Sequence, residues 1–477
     1  MKILFLAAEA EPFVKIGGLA DVAGSLPLAL RSLPDQNGSG VPLDVRLVLP
    51  LHQAVQVDIA SLHLIADYSV CREGLSIPVK AFETTLDGMP VYFISGAPIS
   101  NTLSVYSPDP AHDREKYAFF SLAALELIRY LDWQPDIIHA NDWHTSLALY
   151  AVQSRRAASS QVLPCTILTI HNLAYLGGDS SEVLSAYDLI PLGDHSLPEW
   201  AKSQPLPLGL WSANAIVPVS PTYAREILTP DFGCGLDPYL KTRSDSITGI
   251  LNGLDIKYWD PGRDKVLPAC FNVDQLPART LNKTALQKTL VLKQDEKIPL
   301  LAMVGRVDYQ KGLDIAFAAL RDLTGWNWQF VILGSGDPAL EDTARQLQSD
   351  FPDRVRAVIR YDSELSHMLY GGADIFLMPS RYEPCGLAQM IAMRYGCVPI
   401  VHATGGLIDT VQEGRTGFLF ENSESVSMEA ALMRALKVYP DPGRWQEFQR
   451  NDMKEDFSWP RSAGQYALIY KAVLSKS

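Results

Sequence analysis

The strongest constraint on the fold is an alternation that runs almost the length of the chain. Short apolar runs are each followed by a segment whose apolar residues recur at helical spacing. Residues 3–8 read as a strand, after which Leu19, Val22, Ala23, Leu26, Ala29 and Leu30 fall at three- and four-residue intervals. Residues 45–49, 91–94, 136–139, 166–170 and 215–219 read as strands, and 114–130 as a long amphipathic helix. Ser220-Pro221-Thr222 opens a further helix, with proline at its favoured first position. Strands separated by helices pair in parallel, with helices on both faces of the sheet.

The pattern restarts after a break. Asp260-Pro261-Gly262-Arg263 and the polar, proline-bearing stretch to about Arg279 read as a linker. Beyond it, residues 300–304, 330–333, 355–359, 374–378 and 398–401 read as strands, with helices such as 312–320 and 363–370 between them. A chain of 477 residues is too long for one ordinary core, so about two or three domains are expected. The expected division is 1–255, 256–458 and a final segment 459–477. Two open α/β domains joined near residue 260 imply a cleft lined by the carboxyl ends of their strands. Residues 37–40 read only as a loop.

Bulk properties exclude several classes. A formal charge of −13 argues against nucleic acid or an anionic membrane as the main partner, while leaving room for a small anion held by a few basic residues. The six cysteines are scattered with no CxxC pair, which fits reduced thiols in a cytoplasmic compartment. The apolar run at the amino terminus is short and is followed at once by Glu9 and Glu11, so it reads as a first strand and not as a signal peptide. No stretch reaches the roughly 18–20 apolar residues of a membrane span. A soluble, cytoplasmic protein is expected.

The most informative loop is Pro379-Ser380-Arg381-Tyr382-Glu383-Pro384-Cys385-Gly386-Leu387-Ala388-Gln389, between an apolar strand and a helix. Strand, tight loop and helix start aim free N–H groups and a positive dipole end at an anion. Gly386 admits close backbone approach. Glu383 would repel an anion, so it suits the hydroxyls of a group attached to one, as in a sugar phosphate or nucleotide sugar. A plain βα loop with a capping carboxylate is the other reading. Lys15-Ile16-Gly17-Gly18-Leu19-Ala20-Asp21 and Thr404-Gly405-Gly406-Leu407 repeat the glycine-pair helix start, without the GxGxxG of a dinucleotide site. Arg306 and Lys311, with Gln310 between them, end one strand and open a helix. Arg suits bidentate phosphate contact and Lys a point charge; a solvated basic loop is the alternative.

Ala140-Asn141-Asp142-Trp143-His144 and His171-Asn172-Leu173-Ala174-Tyr175 follow strands of the first domain, where polar groups can orient hydroxyls or assist proton transfer. His139 and His144 read as structural. No metal-ligand spacing such as HExxH occurs. Trp211, Trp259, Tyr309 and Tyr361 are candidates to stack on a base or sugar, with core packing as the default for each.

Taken as an ordered set, these motifs resemble the bacterial glycogen synthase and plant starch synthase family of retaining GT-B glycosyltransferases. The resemblance is carried by Lys15-Ile16-Gly17-Gly18-Leu19-Ala20-Asp21-Val22, His171-Asn172-Leu173-Ala174-Tyr175, Val219-Ser220-Pro221-Thr222-Tyr223-Ala224-Arg225-Glu226 and Gly249-Ile250-Leu251-Asn252-Gly253-Leu254-Asp255. It continues through Trp259-Asp260-Pro261, Gly305-Arg306, Gln310-Lys311-Gly312, residues 379–389, Arg394-Tyr395-Gly396 and Thr404-Gly405-Gly406-Leu407. It implies two Rossmann-like domains across a deep cleft, the last helix crossing back onto the first domain. It also implies transfer of glucose from ADP-glucose to an α-1,4-glucan, with no metal and no cofactor.

By the same resemblance, Arg306 and Lys311 bind the diphosphate, with Gln310 beside them and the Gly17-Gly18 turn and the Thr404-Gly405-Gly406-Leu407 helix start around it. Tyr361 stacks on adenine. Glu383 and the amides of Cys385, Gly386 and Leu387 hold the glucosyl group. His171, Asp142 and Asn252 contact sugar and acceptor, and Lys15 and Asp21 line the acceptor side. Departures from the family pattern are Ile16 for Thr or Val, Asn141 for His, Ala388 for Thr, a short segment at 106–110, and 177–210 without its usual Asn-bearing helix. Competing readings are a transferase using UDP-glucose or another acceptor, a glucan-binding homologue, and a phosphorylase carrying pyridoxal phosphate.

Overall fold

The computed structural model describes residues 1–34, 43–101, 103–158, 163–323 and 325–476; the loop at 37–40 lies outside them. The chain divides into two compact units, Met1–Gly253 with Trp459–Ser477, and Leu254–Ser458. The first boundary falls two residues before the expected 255. Gly253 lies so close to Trp459 that a Cβ there would come within 2.5 Å of the indole, which fixes it to the first unit. Leu254 N donates to Phe457 O at 2.7 Å and starts the second.

The first unit is built on an eight-stranded sheet. Its strands are β1 (Lys2–Leu6), β2 (Asp44–Pro50), β3 (His63–Arg72), β4 (Leu75–Leu86), β5 (Met89–Ser95), β6 (Ile137–Asn141), β7 (Cys165–Ile170) and β8 (Ala215–Pro218), in the order β3-β4-β5-β2-β1-β6-β7-β8. From β5 to β8 neighbouring strands are parallel. Ile3, Leu4, Phe5 and Leu6 are all fully buried, as a central strand covered on both faces requires. The sheet is not wholly parallel, contrary to expectation. A hairpin, β3 with β4, extends its edge antiparallel, and its polar alternation carries little of the apolar signal that marks the central strands.

The helix expected over 114–130 runs Pro110–Leu127, started by Asp109, whose carboxylate accepts from Ala111 N at 3.0 Å. It is buried on nearly every face and not amphipathic, because the helix Asp142–Ala158 and the strands β3 and β5 all pack against it. The helix Trp459–Leu474 also belongs to this unit. Its Trp459, Ala463, Tyr466 and Tyr470 join the core, and Ser462 Oγ donates to Leu251 O at 2.6 Å.

The second unit carries a six-stranded sheet, all parallel: β9 (Leu300–Val304), β10 (Gln329–Gly334), β11 (Val355–Ile359), β12 (Ile375–Met378), β13 (Val398–His402) and β14 (Phe418–Phe420). The order β11-β10-β9-β12-β13-β14 is the doubly wound 3-2-1-4-5-6 arrangement. β5-β2-β1-β6-β7-β8 repeats it in the first unit. Each sheet therefore reverses direction between its first and fourth strands of this series, and the loops after those strands mark the binding end. The stretch 260–279 is no linker. Leu267 and Phe271 are buried, Asp264 accepts from Tyr395 Oη at 2.7 Å and pairs with His367, and Asn282 brackets Ala269 with two hydrogen bonds. Its polar residues serve interior hydrogen bonds, so composition misrepresents it. Among the described residues no helix is long and apolar enough to cross a membrane.

Candidate functional site

In the first unit the reversal point lies between β1 and β6, and the loops after both carry candidate residues. After β1 comes the Lys15–Gly18 turn. Its Ile16 and Gly17 N–H groups both donate to Glu9 Oε2, at 2.5 and 3.1 Å, while Tyr106 Oη donates to Glu9 Oε1 at 2.9 Å. Two N–H groups of the turn, those of Ile16 and Gly17, thus already face an anion of the chain itself, the Glu9 carboxylate. Burial raises the Glu9 pKa against the opposing pull of these three donors. Gly18 opens the helix Gly18–Arg31, and Asp21 in its first turn pairs with Lys15 Nζ at 2.7 Å. Burial works against the Lys15 ammonium, but Asp21 and Glu11 outweigh it and raise its pKa. Burial likewise raises Asp21, with Lys15 opposing.

After β6, Asp142 adopts a left-handed φ of 53° and starts the helix Asp142–Ala158. Its Oδ1 accepts from His171 N at 2.7 Å and Asn172 N at 3.4 Å, tying the ends of β6 and β7 together. Burial still dominates, with the nearby Glu9 charge adding to it, and pushes the Asp142 pKa up to about 7. His171 is held by its side chain as well: Nε2 lies 2.9 Å from Asn141 Oδ1. Asn141 Nδ2 donates to Leu6 O at 2.9 Å, which orients the amide so that Oδ1 is the acceptor. His171 therefore carries its proton on Nε2 and presents Nδ1 as a lone pair. Burial lowers its pKa to about 3, so the ring is neutral at physiological pH. Asn252 is buried, and its Oδ1 accepts no hydrogen bond from the described protein atoms. His139 is structural, fixed between Tyr470 Oη and Thr169 Oγ1 at 2.7 Å each. His144 is buried against Tyr117 and Trp143.

In the second unit the reversal point lies between β9 and β12. After β9, Arg306 is more than half exposed, with Asp308 Oδ2 at 3.2 Å and Gln310 Oε1 at 3.4 Å. Asp308 Oδ1 accepts from Lys311 N at 3.0 Å and shapes the turn. Gly312 follows at φ 67°, where a Cβ would come within 2.1 Å of Pro379 O, so only glycine lets the two loops meet. Lys311 Nζ lies 2.7 Å from Glu383 Oε2, and Ser380 Oγ donates to the same oxygen at 2.9 Å. The residues expected to hold diphosphate and glucosyl group are thus one partly buried ion pair.

Gly386, at φ 73°, leads into the helix Ala388–Arg394, and Gln389 Nε2 holds the loop through Cys385 O and Gly386 O at 3.1 and 2.9 Å. Gly406 packs against this loop, where an added Cβ would come within 2.2 Å of Cys385 O. Gly406 N donates to Glu383 O at 3.0 Å and Leu407 N to Thr404 O at 3.1 Å. The Gly406 N–H thus ties the 404–407 helix start to the Glu383 loop. Tyr361 is 85% exposed at the end of β11, open to a planar ligand. Trp259 stacks on His367 at 4.4 Å and is not a free stacking surface, while Trp211 is fixed by its in-plane Nε1, which donates to Asp194 Oδ2 at 3.0 Å. Glu9, Tyr106, Asp308 and Arg381 escaped the sequence reading; the signal for Glu9 was its place beyond the same strand end as Lys15.

The comparisons agree with this fold. Residues 2–242 match the family model for the starch synthase catalytic domain and 287–452 that for group 1 glycosyl transferases. The chain is similar to a glycogen synthase of Cellvibrio japonicus, 39% identical over 495 residues and 99% of each chain. It is also similar to one of Thermotoga maritima, 38% identical over 499 residues, 100% of this chain and 99% of the relative. Among solved structures it is similar to the catalytic domain of starch synthase IV from Arabidopsis thaliana bound to ADP and acarbose (32% identity, TM-score 0.88, 99% of each chain). A sucrose-phosphate synthase from Thermosynechococcus elongatus, at 19% identity and TM-score 0.62, shares the fold.

Proposed function

The chain belongs to the glycogen synthase and starch synthase family of GT-B glycosyltransferases, and on that premise we propose that it transfers glucose from ADP-glucose to the non-reducing end of an α-1,4-glucan. The anomeric configuration is retained and ADP is released. The observation that carries the reading is the group Arg306, Lys311 and Glu383, gathered at the reversal point of a doubly wound sheet. A relative of TM-score 0.88 has been solved with ADP and acarbose, a nucleotide and a sugar-like ligand.

In this mechanism, breaking the anomeric bond leaves an oxocarbenium-like sugar and a diphosphate that gains charge. Lys311 exchanges Glu383 for the diphosphate, and Arg306, exposed beside it, takes a second phosphate oxygen. Both stabilise the leaving group as charge develops, and losing one such contact costs about 2–4 kcal/mol, or 10²–10³ in rate. Glu383, released from Lys311, accepts from glucosyl hydroxyls. Tyr361 stacks on the adenine. On the first unit, the Nδ1 lone pair of neutral His171 and the Oδ1 of Asn252 accept from sugar hydroxyls, and Lys15 and Asp21 serve the acceptor. The acceptor hydroxyl attacks the face the phosphate leaves, and the phosphate takes its proton. No metal or organic cofactor takes part.

The test is ADP release from ADP-glucose with and without glycogen or maltooligosaccharides, against UDP-glucose as competing donor. Glucan-dependent release that prefers ADP-glucose and disappears in Lys311→Ala and Glu383→Ala is the expected outcome. Faster turnover of UDP-glucose would overturn the donor assignment. Donor cleavage indifferent to every glucan would overturn the acceptor assignment, and a trapped glucosyl ester on Glu383 or Asp142 would overturn the same-face mechanism.

A further inference from the structure

The two loops that carry the donor-side residues are joined at several points, and the joints differ in kind. Lys311 Nζ reaches Glu383 across them at 2.7 Å, and Gln310 Nε2 donates to Tyr382 O at 3.1 Å. Both use side chains assigned to the donor. When diphosphate takes Lys311, the first of these ties is surrendered at the moment the loops must be held to tolerances of a fraction of an ångström.

Arg381 makes the other joint. Its backbone N donates to Gln310 O at 2.8 Å, and its Nη1 donates to Tyr309 O at 2.8 Å. Nη1 and Nη2 also grip the Asp314 carboxylate from both ends, at 2.9 and 2.8 Å, and the guanidinium lies 3.6 Å over the centre of the Tyr309 ring. Asp314 stands in the first turn of the helix Leu313–Asp322, just after Gly312. One residue of the loop after β12 thus holds the loop after β9, its backbone N–H by one carbonyl and its side chain by a second carbonyl, a carboxylate and a ring. None of these groups has a part in binding the donor in the mechanism above.

We propose that Arg381 is a positioning residue, the clasp that keeps the Arg306–Lys311 loop and the Glu383–Leu387 loop in register once a nucleoside diphosphate sugar has taken Lys311 away from Glu383. The inference rests on the donor-site reading above. Only a planar, five-donor guanidinium can span both carboxylate oxygens and a carbonyl together while lying on an aromatic face; an ammonium keeps the charge but loses the fork.

The experiment compares wild type, Arg381→Lys, Asp314→Asn and the double variant. Donor and glucan KM are measured separately, ADP binding is followed by calorimetry, and thermal midpoints monitor folding. We expect donor KM and ADP Kd to rise about tenfold or more in each single variant, with glucan KM within about twofold of wild type. The double variant should be little worse than the poorer single, because both act through one contact. Donor KM and ADP Kd unchanged in both singles, or glucan KM rising in step with them, would overturn the clasp. If wild-type protein binds ADP but fails to release it from ADP-glucose in a glucan-dependent way, the glucan reading falls while the calorimetric arm still decides the clasp. Should Arg381→Lys fold poorly, Asp314→Asn alone decides it.

Discussion

Replacing Asp142 by asparagine removes a charge while keeping the shape, and the backbone at φ 53° tolerates asparagine as readily as aspartate. The native carboxyl is buried and its pKa rises from 3.8 to about 7. The folded state therefore holds this proton more tightly than the unfolded chain, and stability falls as pH rises between those values. The full contribution is present below the unfolded value and lost above the folded one. A shift of about three units corresponds to about 4 kcal/mol, of which about 3 kcal/mol is lost between pH 5 and 8. Asparagine has no such slope.

At roughly 2–4 °C per kcal/mol for a unit of this size, the thermal midpoint of Asp142→Asn relative to wild type should climb by roughly 6–12 °C across that range. Midpoints for both proteins, scanned at one rate from pH 5 to 8, measure it. The same variant should lose transfer activity by roughly 10²-fold, since the Asp142 carboxylate holds the His171 and Asn172 backbone from which the His171 ring is presented to the sugar in the proposed mechanism. Parallel midpoint profiles would refute the argument, because they would mean that Asp142 does not titrate between its unfolded value and 7.

Lys311→Ala should lower kcat/KM by roughly 10²–10³ and also lower the thermal midpoint, because Glu383 is left buried without its cation; steady-state kinetics and scanning calorimetry check the two effects. Tyr361→Ala should weaken ADP binding by about 1–3 kcal/mol, with the midpoint unmoved because the ring is exposed, and Tyr361→Phe should restore binding in calorimetry. Gly406→Ala should destabilise the second unit by about 2 kcal/mol or more and weaken donor binding, since its Cβ would come within 2.2 Å of Cys385 O and push the Glu383 loop; denaturant unfolding and donor KM report the two effects.

The central strands of both sheets were legible because each is a continuous apolar run that can exist only as a core strand, as with Ile3–Leu6 and Ile375–Met378. The hairpin β3–β4 was not, because its polar alternation carries little apolar signal; its mark in the sequence is the pair of two-residue turns Glu73-Gly74 and Asp87-Gly88, all four residues at left-handed φ. The stretch 260–279 misled for a related reason. Asp264 is a residue type that usually faces solvent, yet in the fold it satisfies Tyr395 and His367, while the Ala269 backbone is held by Asn282 of the following helix. At the site, residue identity and strand end were readable for Lys15, Asp142, His171, Arg306, Lys311 and Glu383. Hydrogen-bond partners were not, so the Glu9 carboxylate held by the Ile16 and Gly17 N–H groups could not be read from the sequence.

Those hidden partners alter the chemistry assigned to each unit. A sugar losing its leaving group becomes cationic, so a protonated imidazole beside it would oppose the reaction, whereas a neutral one can still accept a hydroxyl hydrogen. The first unit holds His171 neutral by burial and fixes its tautomer through Asn141, anchored in turn on Leu6 O. A histidine at position 141 would leave that tautomer to a second titratable ring; the amide removes the choice. The second unit does the converse. It places Arg306 and Lys311 at a strand end with Lys311 seated on Glu383, the contact that a phosphate displaces in the proposed mechanism. Neutral acceptors on one unit and exchangeable cations on the other are what a departing diphosphate and an electron-poor sugar each require.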